Sequence, residues 1–343
     1  MKKGVCILLA SILGIFILSC NSSSKKNSKK SLLHVVSPIN QIVMIAPQKT
    51  WDIGFKKFVL DTFMQSVKGM FYSEPEFSLL HFPTLKAAQS YKRYPNFIQL
   101  SKGASAIKFE QDVFASGQTV VHVWGENLRS IQKTLIDNRK NIFSQFHRND
   151  KKQWRIEHAG KYHSGISELK KMGISFKIPT KFLKVNQEKD FVHYEYNASN
   201  RTRNRSADFT VVTKPYALDT ISLENVIALR DLIGRKYIKG SEEESYMQTA
   251  PLLKEYLHTE IIKNTARQIV YKTTGLWSMK HLVAGGPFVN YVVIDKKNQR
   301  LFMFDGLVLV STSGNTNARN VFYRRDLLTE LSFIFDSYKL LKE

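Results

Sequence analysis

Both cysteines of this 343-residue chain, Cys6 and Cys20, fall within its first twenty residues. Everything after them must fold without a disulfide, a thiolate metal site or a thiol nucleophile. Stability then rests on burying an apolar core, and the roughly 310 residues that follow a polar stretch at 20–33 suffice for one large domain or two smaller ones.

The same twenty residues carry an address. Lys2 and Lys3 precede an apolar run from Val5 to Leu18 that is short for a bilayer span, and Ile17-Leu18-Ser19-Cys20 closes it in the pattern of a bacterial lipoprotein signal peptide. The expectation is that residues 1–19 are removed and that Cys20 becomes the acylated first residue. Two or more acyl chains then hold the protein on membrane lipid. The Asn/Ser/Lys stretch at 20–33 lacks the apolar residues that offset ordering entropy, which predicts a flexible tether.

Lys and Arg number 51 against 29 Asp and Glu, a net charge of +22, and loss of residues 1–19 leaves +20. The basic residues are scattered, and a protein tethered outside the cytoplasm does not meet nucleic acid, so no nucleic-acid partner is expected. Solvated faces account for most such charge. Attraction to anionic lipid or polysaccharide, weakened as salt screens it, is the functional reading.

Periodicity gives an α+β chain, a mixed α/β sandwich of mostly antiparallel sheets with packed helices. In a first half, 34–150, an apolar strand at Gln41 to Ala46 stops at Pro47, and a helix capped by Thr50 is predicted over 51–68. Strands at Glu76 to Phe82, Asn96 to Leu100 and Gln118 to Trp124 lead to a second helix from Leu128 to Phe146. A charged connector at 151–172 separates this from a second half of related size, 173–343. There, strands at Lys181 to Val185, Phe191 to Asn197 and Asp208 to Thr213 precede a helix capped by Ser222. Its predicted buried stripe includes Leu223, Val226, Leu229, Leu232 and Ile233. After strands near Glu260 to Thr273, Phe288 to Ile294 and Arg300 to Val310 bracket a polar turn at Asp295 to Gln299, and an amphipathic helix through Leu327 to Tyr338 follows.

The last third carries, in order, Ser245-Tyr246-Met247-Gln248-Thr249, Gly275-Leu276-Trp277, Gly285-Gly286-Pro287-Phe288 and Asp305-Gly306. In that order these resemble a family of uncharacterised Bacteroidetes lipoproteins catalogued as a domain of unknown function. The resemblance takes in most of the chain, including Ile42-Val43-Met44-Ile45 and the Trp51 helix. The chain departs from the family at Phe114, where a tryptophan is expected, and at Ser311 to Asn320, where the family has a shorter basic link. The resemblance implies an envelope lipoprotein and no assigned activity. Surface-displayed lipoproteins of that phylum carry acidic residues after the acylated cysteine, and Asn21 to Lys25 contains none, which favours the periplasmic face. The second half also resembles the sheet-and-helix sandwich of the Mog1/PsbP type, an analogy of fold alone.

Within that half, Gly285-Gly286-Pro287 is the tightest backbone feature. Two glycines permit φ > 0, giving either a tight turn into the hairpin or a place where a ligand or partner meets the main chain, with Trp277 and Phe288 flanking it. Arg201, Arg203 and Arg205 alternate in what reads as a hairpin loop, where forked donors suit phosphate or sugar. His158 and His163 lie five apart across Gly160, which does not fit zinc spacing, so neither a metal nor a cofactor is expected. No G-x-S-x-G elbow, Walker loop, G-x-G-x-x-G turn or S-x-x-K motif occurs in a matching context. The reading that results is a lipid-anchored, periplasm-facing protein that binds an envelope partner or ligand without chemistry of its own. A hydrolase of an envelope polymer or lipid, or a carrier of a small apolar molecule, are the alternatives.

Overall fold

A computed structural model describes residues 32–70, 74–198, 203–312 and 323–341. The signal segment and acylation site, most of the tether, Arg201 and residues 313–320 of the link to the last helix lie outside the described residues.

The first sheet forms where apolar runs are buried on both faces. It has the order β2-β1-β3-β5-β4, with β1 (Gln41–Ile45), β2 (Ser78–Phe82), β3 (Asn96–Lys102), β4 (Ala106–Gln111) and β5 (Thr119–Gly125). All pairings are parallel except β4 with β5. The near-continuous apolar character of β1, β3 and β5 is what parallel strands covered on both faces require.

A helical run over 48–63, here α1, and the helix α2 (Leu128–Glu157) cover one face. α1 starts earlier than expected. Pro47 rather than Thr50 stands at its entrance, and Thr50 is already helical. Trp51, Phe55, Val59 and Phe63 are all buried at strict four-residue spacing. That spacing drifts around an ordinary helix of 3.6 residues per turn, and widened π turns keep it on one side. Gly54, at φ 96°, supplies the kink between segments.

α2 opens with a capping box in which Asn127 accepts from the Ser130 amide and the Ser130 hydroxyl accepts from the Asn127 amide. It runs eleven residues beyond the expected end at Phe146. The extension buries Asn149, Asp150, Gln153 and Trp154, so the start of the expected connector is helix whose inward face is largely polar.

The second sheet is antiparallel throughout, in the order β10-β12-β13-β14-β9-β8-β7. After a short α3 (Ser167–Lys171) and β6 (Ile174–Ser175), its strands are β7 (Leu183–Glu188), β8 (Phe191–Asn197), β9 (Arg203–Pro215), β10 (Met247–Thr249), β11 (His258–Asn264), β12 (Gln268–Met279), β13 (Gly285–Asp295) and β14 (Arg300–Thr312). β11 joins the same edge of β12 as β10, further along. Alternation divides the strands into two apolar faces. α4 (Leu223–Tyr237), capped by Ser222, covers one, where Val226 and Ile233 meet Ile269, Val292, Ile294 and Met303. α5 (Tyr323–Phe335) covers the other with Leu328, Leu331, Ile334 and Phe335 against Val289, Phe302 and Phe304. Trp154 of α2 enters this same core. A last strand, β15 (Lys339–Leu340), pairs with β6.

Residues 33–343 form one compact unit. Among the described residues no helix is long and apolar enough to cross a membrane.

Candidate functional site

The family-like segments of the last third converge at one end of the second sheet. Trp277 on β12 lies opposite Gly286 on β13. Its indole passes over that glycine and donates Nε1–H to the Val308 carbonyl of β14 at 3.2 Å. A Cβ on Gly286 would strike the Val308 carbonyl and sit 3.3 Å from the indole nitrogen, and one on Gly285 would lie 2.6 Å from the Trp277 carbonyl. Neither glycine has positive φ. The expected tight turn with φ > 0 is therefore corrected: these glycines thin the strand so that three backbones and an indole can pack together.

Beside this point is a cleft of about 510 Å³, walled by Leu276, Trp277, Pro287 and Leu309 and closed by Leu253 and Val283 from two loops. Met70 and Arg324 complete it. Arg324 donates to the Val310 carbonyl at 3.0 Å and stands 3.6 Å from Glu74. Val283 is fully exposed at the rim, and Leu252, the chain neighbour of the lining Leu253, is 89 % exposed.

Beneath the cleft, Phe288 is buried with the guanidinium of Arg230 stacked 3.8 Å above its ring. Arg230 Nε donates to Asp305 Oδ1 at 2.9 Å, and Nη1 to the Thr249 hydroxyl at 2.9 Å. Thr249 in turn donates its hydroxyl to Asp231, and Asn290 donates to Asp305. Burial pushes the Asp305 carboxyl above its ordinary range, and Arg230 and Asn290 oppose that. Asp305 belongs to a polar row that crosses the sheet in register through His193, Thr210, Asp305, Asn290 and Thr273.

The sequence reading missed Arg230. It sits four residues after Val226 on the buried stripe of α4, fully buried, while Leu232 of the expected stripe is 63 % exposed. The available signal was Asp305 within an apolar strand, which requires a buried partner.

The structure thus brings Trp277, Gly285, Gly286 and Pro287 together in one cleft, with Phe288 under it. It does not bring the arginines there. Arg203 and Arg205 belong to β9, opposite Thr312 and Val310, because the long β14 is paired along its whole length; the expected loop is strand from residue 203 on. Arg205 lines a separate cleft of about 280 Å³ with Trp154, Lys181 and Glu330. His158 and His163 each meet a backbone carbonyl, of Trp154 and Phe182.

One further polar group faces a cleft, of about 310 Å³, between α2 and the second sheet. His147 Nε2 lies 2.7 Å from Glu76 Oε1, and Arg139 donates to Oε2 at 3.0 Å. Burial raises the Glu76 carboxyl, but His147 and Arg139 outweigh it and hold the group below its usual range. Ser332 at the same cleft donates its hydroxyl to the Leu328 carbonyl, and no serine is paired with His147 among the described residues.

Two family models match the chain. One described as Domain of unknown function (DUF8532) matches residues 36–157, and one described as Domain of unknown function (DUF4837) matches residues 165–331. The likeness that reads from sequence as one family is thus divided between two, and the cleft beside Trp277 falls in the second. No curated protein matches. Among solved structures, the Ran-binding protein Mog1p of Saccharomyces cerevisiae is similar at 10% identity over 50% of this chain and 91% of that one, with a TM-score of 0.28. A mutant of protein Mog1 is similar at the same identity and TM-score, over 50% of this chain and 92% of that one. At that TM-score the likeness carries no argument, and the antiparallel sheet with packed helices stands on its own strand register.

Proposed function

We propose that this protein is a binding protein of the cell envelope, anchored to membrane lipid through acylated Cys20 and facing the periplasm. It holds an apolar group of a partner or ligand in the cleft beside Trp277, without chemistry of its own. The signal-like amino terminus supports the anchor and the compartment. One observation carries the binding role: a cleft of about 510 Å³ with aliphatic and indole walls, inside the range of small-ligand sites, with Val283 bare at its rim and Leu252 exposed next to the lining Leu253. Clustered exposed aliphatics mark surfaces that another molecule covers.

The carrier alternative expects an internal cavity lined by aromatics, whereas this cleft is largely aliphatic and lies beside the exposed Val283. The hydrolase alternative has Glu76 and His147 in its favour, but the Arg139 ion pair gives that carboxylate a structural occupation.

Crosslinking and co-purification of the acylated protein from its native membranes tests the proposal. The expected result is a lipid or protein recovered with the unaltered chain and lost from a Leu252→Asp, Val283→Asp variant. Equal recovery by both chains would refute it.

A further inference from the structure

At the other end of β12 lies a cleft of about 630 Å³ that neither the family-like motifs nor the proposed function involves, and its case does not depend on the cleft beside Trp277. Lys151 of α2, Lys263 of β11, Arg267 in the β11–β12 turn, Lys272 of β12 and Lys339 of β15 all line it. The one acid in the lining is Asp336, and it is already engaged. Lys151 Nζ stands 2.6 Å from its Oδ2, and the Tyr291 hydroxyl donates to its Oδ1 at 3.0 Å. Lys263, Arg267, Lys272 and Lys339 have no carboxylate within ion-pair distance among the described residues. Glu260 is the register partner of Lys272, yet it forms no ion pair with it among the described residues.

Four cations without partners around one concavity repel each other, a cost that an anion in the cleft would relieve. Arg267 has its Nε buried with no hydrogen-bond acceptor. No group of the chain satisfies that N–H among the described residues, so the guanidinium lining the cleft is not committed to an internal acceptor. The charge excess is larger than one carboxylate would balance. A phosphoryl group brings about −1.5 to −2 charge and three acceptor oxygens, which suits an arginine fork set among lysines. Ile262, Val270 and Leu340 give the same cleft an apolar wall for an organic body attached to the phosphate.

We propose that this cleft binds the phosphate of an organic phosphate, with Arg267 and Lys272 as its principal contacts and Lys263 and Lys339 at its mouth. That chemistry, a terminal phosphate monoester, is shared by the headgroup of phosphatidic acid and by a soluble sugar or glycerol phosphate.

The test uses the full chain in discs of neutral phosphatidylcholine, with radiolabelled pyrophosphate as the probe in equilibrium dialysis. Saturable binding is expected, weakening as salt rises, and at least tenfold weaker in an Arg267→Gln, Lys272→Gln variant whose thermal midpoint is unchanged. Competition then separates the sources: displacement by phosphatidic acid in the discs assigns a lipid headgroup, and displacement by soluble glycerol phosphate assigns a free one. Should the double variant lose its fold, Lys263→Gln with Lys339→Gln is expected to weaken binding about threefold, the loss of two peripheral charges. Absence of saturable binding, binding untouched in both variants, or displacement only by an acidic peptide would overturn the proposal.

Discussion

At one end of β12, around Leu276 and Trp277, the cleft wall is mostly carbon and the nearby charges are paired, Arg324 with Glu74 at its edge and Arg230 with Asp305 inside the fold. At the other end, around Gln268 to Lys272, the charges line the surface, and Arg267 and Lys272 form no ion pair among the described residues. Both ends belong to one strand and one alternating pattern. What separates them is cover and partnership. α5 lies over the middle of the sheet, and at each end the character of the cleft follows from whether a cation found its acid inside the fold.

The largest effect should come from breaking the locked pair. Arg230→Met leaves Asp305 charged and buried without a counter-ion, which costs about 3–5 kcal/mol. Urea denaturation of Arg230→Met should show that loss, and Arg230→Met with Asp305→Leu should recover most of it. If Arg230→Met unfolds at the same urea concentration as the parent, the charge at this end is not locked in the sense argued here.

A buried acid with no ion pair among the described residues sharpens the contrast. Asp150 accepts from the Asn40 amide at 2.8 Å and from the Asn96 side chain at 2.9 Å. Burial pushes its carboxyl up to about 6, with the Asn40 and Asn96 hydrogen bonds and the nearby His147 opposing and Asp326 adding to the rise. Its folded value lies above the unfolded one, so the stability it contributes is complete below about pH 4 and is lost as pH rises through 6. The shift corresponds to about 3 kcal/mol. Unfolding free energies measured from pH 4 to pH 8 should fall in the parent relative to Asp150→Asn, and parallel curves would contradict the assignment.

Next in size is the thin point of the sheet. Gly286→Ala places a methyl group against the Val308 carbonyl and the indole, an overpacking cost of about 2 kcal/mol in thermal unfolding. An unchanged midpoint would show that the β13 and β14 backbones part freely at this point. Smallest are the exposed side chains at and next to the rim: Leu252→Asp and Val283→Asp should each alter stability by less than about 0.5 kcal/mol, because neither side chain packs into the core. A larger loss in either would make the rim structural.

Much of this architecture was legible because its signals are local. The turn at Asp295 to Gln299, the Ser222 cap and the strand at Gln41 to Ile45 all sit where turn chemistry, capping and apolar runs place them. The far end of α2 was not legible, since Asn149, Asp150 and Gln153 are polar and buried, and a polar stretch reads as a surface connector. β4 was missed for the opposite reason: as an edge strand it buries little, although Ile107 and Phe109 alternate with Lys108 and Glu110. The grouping of Trp277 with Gly285 to Pro287 was visible as neighbouring motifs, but their physical role was not, because the carbonyl that excludes a Cβ belongs to Val308 on a third strand. The cationic cleft could not be read at all. Its charges come from α2, β11, β12 and β15 and one turn, and only the fold brings them together.

The central claim, that the carbon-lined end of β12 is where this protein meets its partner or ligand, is tested most directly by photo-crosslinking in native membranes from a diazirine side chain placed at position 283, compared with one at position 136 on the exposed side of α2. The account predicts adducts from position 283 that disappear when Leu253→Asp is added, and none above background from position 136. Equal labelling from both positions, or adducts from 283 that survive Leu253→Asp, would contradict it.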